Sequence, residues 1–470
     1  MMDEEFDDFT DEQVEELVTR FETAVKNAES PYFDIEEFEE IIEYYDMNQN
    51  GKQMELAIRT ATNIHPYHLH FKIKDAQRLI TNKRIGQAIL ILNELAAIEP
   101  RNPHIRQTMA YAYSRMGKHQ QSIDAYLESI NLGAEPKELW VTIAYEYESI
   151  HQYKIAVDYL KKAIEEDPED EGVLYEILFC FEIDKRMEDS LKFFTDFVNE
   201  HPYSHVAWFN LGITYSNLEL YEKAIQAYDY TLVIDESFSS AYFNKANSLI
   251  NLGDFKGAID NFKETFQHEE PDGLTHVYIG QCYESLNNTE LALEHYFKAI
   301  EINDKIVEVY VNLALIYFNM EKYNESLPYI HEALSLEPEN IDYQYILGDI
   351  LAELENYSEA ATIYHHILEK NPENEEIYFD LAGIFWNMEE RDSAFEVLDL
   401  GIQQTSSNYR NFVRYAEFHY ELGNIPMAIN YISIALNHSP NESIELLEGM
   451  TPLMEDLEIQ NLIKNKRKKS

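Results

Sequence analysis

The sequence predicts an all-α chain made of one helical hairpin repeated at a fixed interval, and three observations carry that prediction. Of its 470 residues 45% are apolar and 13% aromatic, with only 15 Gly and 14 Pro, an ordered and helix-leaning composition. The stretch His205–Phe238 sets large apolar residues at Trp208, Leu211 and Tyr215, small ones at Gly212 and Ala224, and Tyr228 after them, the spacing of two amphipathic helices packed face to face. Sliding that stretch by 34 residues lays out twelve copies without an insertion or a deletion.

Taken in order, residues 1–34 form an acidic segment followed by a leading helix. Thr10 and Gln13 make its capping box, and Val14, Leu17, Val18, Phe21 and Val25 its apolar face. Its acidic outer face suits the end of a stacked array, which must not polymerise. The copies then start at Ile35, Leu69, Pro103, Lys137, Glu171, His205, Ser239, Gly273, Val307, Ile341, Glu375 and Tyr409 and run to residue 442. Where the two helices cross, the chain puts a small side chain: Ala88, Ala156, Ala224, Ala258, Ala292, Ala360, Ala394 and Ala428, with Ser122, Ser190 and Ser326 as near equivalents. Met54 is the outlier, so looser packing is expected in the first copy.

Prolines such as Pro168, Pro202, Pro338 and Pro372 end the unit, where a residue that cannot continue a helix separates one hairpin from the next. Gly117, Gly253 and Gly423 fall in the turn between the helices, and Pro426 suits the first turn of a second helix. The copy from Glu375 has Ser406 in place of the closing proline and is the expected hinge. Residues 443–470 hold Ile444, Leu446, Leu447, Leu453, Met454, Leu457, Ile459 and Leu462, a trailing cap, and then a basic tail from Lys464 to Ser470.

Charge excludes whole classes of function. Lys and Arg total 36 against 87 Asp and Glu, a net charge of −51, which repels phosphate backbones and anionic lipid. No nucleic-acid or membrane partner is expected. The start, with neither a basic nor an apolar region, and the lack of any apolar run near 18 residues predict a soluble cytoplasmic protein. Two cysteines, Cys180 and Cys282, are too few for a disulfide framework and read as buried, inert thiols.

Trp208, Leu211, Gly212, Tyr215, Ala224 and Tyr228 together make a pattern that resembles the tetratricopeptide repeat, and the resemblance spans about Ile35 to Glu442. It implies a right-handed superhelix of antiparallel helix pairs, an α–α solenoid, with the first helix of each unit lining a concave groove. A groove of that kind binds a peptide segment or a helix of another protein.

The motifs that could carry other chemistry have structural readings. Asp46, Asn48, Asn50 and Gly51 begin like a calcium loop, but Ala57 stands where a bidentate Glu is needed and the register makes this an inter-helix turn. His65, His68 and His70 straddle a unit junction around Pro66 and read as a packed or solvated cluster. No nucleophile with a base, no carboxylate pair outside the repeat and no Gly-rich phosphate loop is present, so no enzyme activity, cofactor, metal or small-molecule substrate is expected. Lys72, Lys74 and Arg78 approach a carboxylate clamp in one unit only.

On the geometry the resemblance implies, positions five, six and nine of the first helix face the groove. Asn210, Asn244 and Asn312 occupy position six and could read a peptide backbone, an amide being donor and acceptor at once, although Tyr278 and Ile346 break the row. Asn247 stands at position nine of the same unit as Asn244. Phe209, Phe243, Tyr345 and Phe379 at position five are expected anchors for a partner. Tyr111, Tyr145 and Phe179 at position nine are further aromatic candidates for the groove, although aromatic stripes at helical spacing are more often packed than bound. The expected function is a non-enzymatic scaffold or adaptor for a basic or neutral protein or peptide. The alternatives are a chaperone-like or assembly factor holding a basic or aggregation-prone client, and a regulatory arm of an enzyme supplied in trans.

Overall fold

A computed structural model describes residues 9–27, 32–406 and 408–467. The acidic residues 1–8, Ser407 of the expected hinge and the last three residues of the basic tail lie outside them. Every regular element among the described residues is an α-helix. Two compact units divide the chain, Met1–Ser248 and Leu249–Ser470.

Unit 1 begins with α1 (Asp11–Lys26), α2 (Ile35–Met47), α3 (Gly51–Ile64), α4 (Leu69–Thr81), α5 (Ile85–Ile98), α6 (Pro103–Arg115) and α7 (His119–Asn131). It continues with α8 (Lys137–Ser149), α9 (Tyr153–Glu166), α10 (Glu171–Ile183), α11 (Met187–Glu200), α12 (His205–Asn217), α13 (Tyr221–Ile234) and α14 (Ser239–Asn251), inside which the division falls. Unit 2 contains α15 (Phe255–His268), α16 (Gly273–Ser285), α17 (Thr289–Ile302), α18 (Val307–Asn319), α19 (Tyr323–Leu336), α20 (Ile341–Glu353) and α21 (Tyr357–Lys370). After them come α22 (Glu375–Asn387), α23 (Arg391–Gln404), α24 (Tyr409–Glu421), α25 (Ile425–His438), α26 (Pro440–Glu448), α27 (Thr451–Met454) and α28 (Leu457–Arg467).

From α2 to α24 the even-numbered helices begin 34 residues apart. Local chemistry fixes those starts. Asp34, Asn102, Asp170, Ser204, Asp272, Asn340 and Asn374 each stand just before a first helix and accept hydrogen bonds from its free N–H groups. The turn inside each hairpin is fixed by backbone conformation. Gln49, Lys83, Gly117, His151, Lys185, Glu219, Gly253, Asn287, Glu321, Glu355, Glu389 and Gly423 all have positive φ, so every hairpin turns through one left-handed residue, although only three of the twelve are glycine.

The crossing inside each hairpin explains its small residues. The eight alanines expected there are fully buried, and a Cβ added to Gly212, Gly280 or Gly348 would collide with the ring of Tyr228, Tyr296 or Tyr364. The serines need partners for their buried hydroxyls and have them: Ser122 donates to Ala110 O at 2.9 Å, Ser326 to Ala314 O at 2.7 Å, and Ser190 pairs with Thr214 at 2.8 Å.

The ends of the array are closed by apolar packing. Thr10 and Gln13 form the expected capping box, and α1 buries Leu17, Val18 and Phe21 against Phe33, Phe38 and Tyr45. At the other end Ile444, Leu447, Leu453 and Ile459 join the core of α24 and α25, but Leu457, expected to pack, is 73% exposed. At the expected hinge the packing is close. Gly401 lies against Tyr378 and Asn411, and Thr405 Oγ1 bonds both Gly401 O and Asn408 Oδ1. No helix among the described residues is long and apolar enough to cross a membrane.

Candidate functional site

The first-helix face has a different chemistry in each unit. In unit 1 the position-nine aromatics are on the surface: Tyr111, Tyr145 and Phe179 of α6, α8 and α10 are 40%, 48% and 44% exposed. Tyr175, one turn before Phe179, is exposed as well. Beside Tyr111 a cavity of about 400 Å³ opens, lined also by Gln77, Tyr126, Glu138 and Thr142. Burial and the neighbouring Glu176 and Glu148 raise the Tyr145 hydroxyl above its ordinary pKa, which marks how closely α8 and α10 approach here.

Between those helices Glu148, Glu176 and Cys180 converge, the only trio of such side chains among the described residues close enough to share an ion. Cys180 is buried and its thiol donates to Glu148 Oε1 at 3.3 Å. Burial, with Glu148 behind it, raises the thiol far above its ordinary pKa, and burial together with Glu176 pushes Glu148 up to about 7. Cys282, in unit 2, is buried too, and burial raises it to about 11. Both thiols are thus protonated at neutral pH, as inert buried cysteines should be.

Of the seven candidates at positions five and six, three are interior. Phe209 is buried against Tyr228 and Phe238, and Phe379 is buried beneath the Arg414 guanidinium, 3.5 Å from its ring. Asn210 is fully buried, and its Nδ2 donates to Leu174 O of α10 at 3.0 Å. These three were expected on an open face, and the structure corrects that. Their side chains fill the contact between successive units and cannot meet a peptide as they stand.

The other candidates are half-buried. Asn244 Nδ2 donates within its own helix to Ser240 O at 2.9 Å, and Phe243 and Asn247 flank it. Asn312 lies beside the Tyr296 hydroxyl and opposes the rise in that group's pKa. Tyr345 donates to Asp380 Oδ2 at 2.7 Å.

In unit 2 Tyr345 and Asp380 belong to a larger constellation that sequence reasoning missed. A cavity of about 410 Å³ is walled by α18, α20, α21, α22 and α24. Asp349 and Asp380 lie on its inner side, Glu353, Glu417 and Glu421 also line it, and Phe318, Tyr357, Trp386 and Phe418 supply aromatic walls. Tyr364 donates its hydroxyl to Asp349. Burial is the main cause that pushes Asp349 up to about 7, opposed by the Tyr364 bond and reinforced by Asp380, Glu376 and Glu353. Burial likewise pushes Asp380 up to about 6, against the pull of Tyr345 and Arg414. Among the described residues the one cation in the wall, Arg414, is engaged with Phe379 O at 3.2 Å and Glu417 at 2.5 Å.

The remaining sequence motifs serve the fold. Asn50 caps α3, and Gln49 supplies the left-handed turn, so the calcium-like stretch is an inter-helix turn. His65 Nε2 lies 2.9 Å from Phe33 O, and its ring packs among Phe38 and Phe71. Arg78 of the possible clamp is already paired with Glu55 and Asp75, both at 2.8 Å.

Comparison with known proteins accords with this architecture. Tetratricopeptide repeat models match residues 103–132, 137–170, 205–229, 239–264, 277–306 and 307–340. Anaphase-promoting complex subunit 3 of Schizosaccharomyces pombe is 21% identical over 206 residues, 44% of this chain and 31% of that protein. The peroxisomal targeting signal receptor of Saccharomyces cerevisiae is 23% identical over 273 residues, 54% of this chain and 44% of that one. The chain therefore spans less than half the length of either relative. Among solved structures the anaphase-promoting complex assembly Cut9–Hcn1 aligns over 97% of this chain and 93% of that one, at 13% identity and a TM-score of 0.39. YrrB, described as a TPR protein with an unusual peptide-binding site, covers 38% of this chain and 93% of its own at 23% identity and a TM-score of 0.33. With its helical hairpins in one 34-residue register and repeat models matching six of them between residues 103 and 340, the chain is a tetratricopeptide repeat protein.

Proposed function

We propose that this protein is a non-enzymatic scaffold of twelve repeats, residues 35–442, that holds a peptide segment or helix of a protein partner on the first-helix faces of its units. The observation that carries the proposal is the row Tyr111, Tyr145 and Phe179, three large rings on α6, α8 and α10 that the fold leaves uncovered. Large rings lose little conformational freedom when they bind and bury much area, which is why they dominate interface hot spots. The net charge of −51 steers a basic or neutral partner toward that face and repels an acidic one. Asn244, Asn247, Asn312, Phe243 and Tyr345 are half-buried and could add contacts, whereas Asn210 serves the packing.

The experiment is partner capture by the Tyr111→Ala/Tyr145→Ala/Phe179→Ala chain, with Asn210→Ala as a packing control. The triple variant should keep its melting temperature within a few degrees and lose most of the capture. Asn210→Ala should lower the melting temperature and keep capture at temperatures where it is folded. Full capture by the triple variant would remove the aromatic row from the interface.

A further inference from the structure

The cavity of unit 2 is walled on several sides, and its size lies in the range of small-ligand sites. Its charge is lopsided: Asp349, Glu353, Asp380, Glu417 and Glu421 face one guanidinium, Arg414, already held by the Phe379 carbonyl and by Glu417. Among the described residues Asp349 and Asp380 have no ion-pair partner. Tyrosine hydroxyls are the donors they have, Tyr364 for Asp349 and Tyr345 for Asp380. Buried carboxylates are costly without a cation in contact, and the guanidinium groups near Asp380, Arg410 and Arg414, are already paired with Glu376 and Glu417, so the cavity is left short of positive charge.

We propose that this cavity is a socket for one arginine side chain of the bound protein partner, which deepens the scaffold reading and rests on it. Guanidinium suits the place better than ammonium. It is less strongly hydrated, so it enters an aromatic-walled site more cheaply, and its planar fork of five donors can serve carboxylates at two depths. Arg414 shows the same mode within the fold, one guanidinium lying on an aromatic ring while donating to a carbonyl and a carboxylate.

Occupancy is coupled to protons. Asp349 faces Glu353 of its own helix, Tyr364 of α21 and Asp380 and Glu376 of α22, and Asp380 faces Tyr345 of α20 with Arg410 and Arg414 of α24. A cation seated among them favours the ionised carboxylates, so binding expels protons and tightens as pH rises through 6 to 7.

The test uses the full chain and the pentapeptide Gly-Gly-Arg-Gly-Gly, compared with its lysine and citrulline counterparts by calorimetry at low salt. The arginine peptide should bind at least about tenfold more tightly than the citrulline peptide and several-fold more tightly than the lysine peptide. Its affinity should rise several-fold from pH 5.5 to 7.5. Asp349→Asn/Asp380→Asn should abolish the preference. Glu353→Gln, an exposed change at the rim that leaves the fold alone, should weaken binding several-fold, whereas Glu148→Gln/Glu176→Gln in unit 1 should leave it intact. Equal binding of citrulline or lysine, a preference surviving in the double aspartate variant, or spermidine displacing the arginine peptide as an equal would each overturn the proposal. Failure of the socket leaves capture through the unit 1 aromatics standing, and failure of that capture leaves the peptide measurement standing, so the two readings fall separately.

Discussion

Replacing Asp349 by Asn removes a charge that the fold burdens and keeps an oxygen that the Tyr364 hydroxyl can still bond. Holding the carboxyl at about 7 in place of its ordinary 3.8 would cost at most about 4 kcal/mol of stability at pH 8. Its residual contact with water and its coupling to Asp380 reduce that to about 2 kcal/mol. The sign follows from the order of ionisation. Well below pH 3.8 both the folded and the unfolded carboxyl hold their proton and the substitution is neutral. As pH rises the unfolded chain ionises first, so the native protein loses stability relative to the variant until pH 7, and the difference is flat above it. Urea unfolding followed by far-ultraviolet circular dichroism should show Asp349→Asn ahead by about 2 kcal/mol at pH 8 and by about 1 kcal/mol at pH 5.5, the latter still above the sequence pI of about 4.5. A gain independent of pH, or a loss at pH 8, would refute the argument that Asp349 is a strained carboxyl.

Two further outcomes follow from backbone and buried-base chemistry. Glu355 and Glu389 are exposed turn residues with φ of 62° and 63°, so Glu355→Gly and Glu389→Gly should each stabilise the chain by about 0.5–1 kcal/mol, while alanine at the same places should bring no such gain; thermal unfolding distinguishes them. His276 and His295 are buried with their Nδ1 atoms 2.9 Å apart, and burial lowers both, His295 to about 4, among Lys298, Lys263, Asp272 and Glu294. Their unfolded forms take up protons first as pH falls below 6.5. Relative to His295→Phe, the native chain should therefore lose about 2 kcal/mol between pH 7 and pH 5, and parallel stability curves would contradict this.

The hairpin was legible in the sequence because it is written in local pairs. Gly212 with Tyr228 and a small residue at Ala224 are neighbours across one crossing, so the pairing shows in the sequence of a single copy. The face each unit shows was not legible. Exposure at positions five and nine changes from copy to copy with the stacking, so Phe209 is packed while Tyr175 at the same position, and Phe179 at position nine, are exposed. The buried amide of Asn210 followed the same rule, its partner being a carbonyl of the preceding first helix. Asp349 and Asp380, or Glu148 and Glu176, look like ordinary surface carboxylates until the units are stacked. The one signal for them is acid residues at inner positions of adjacent first helices, meaningful only once the register is known.

The turn built on a single left-handed residue at a fixed place in all twelve hairpins has a genetic consequence. Gain or loss of one whole 34-residue unit leaves every boundary, cap and turn in frame, so the chain can lengthen or shorten by unequal recombination and still fold. A deletion of one codon inside a first helix is far more damaging, because it swings the following side chains by about 100° about the helix axis and aims them at the wrong neighbours. Selection on such a gene therefore tolerates changes of copy number far better than changes of spacing, and features such as the unit 1 aromatics or the unit 2 carboxylates travel with their units as heritable blocks.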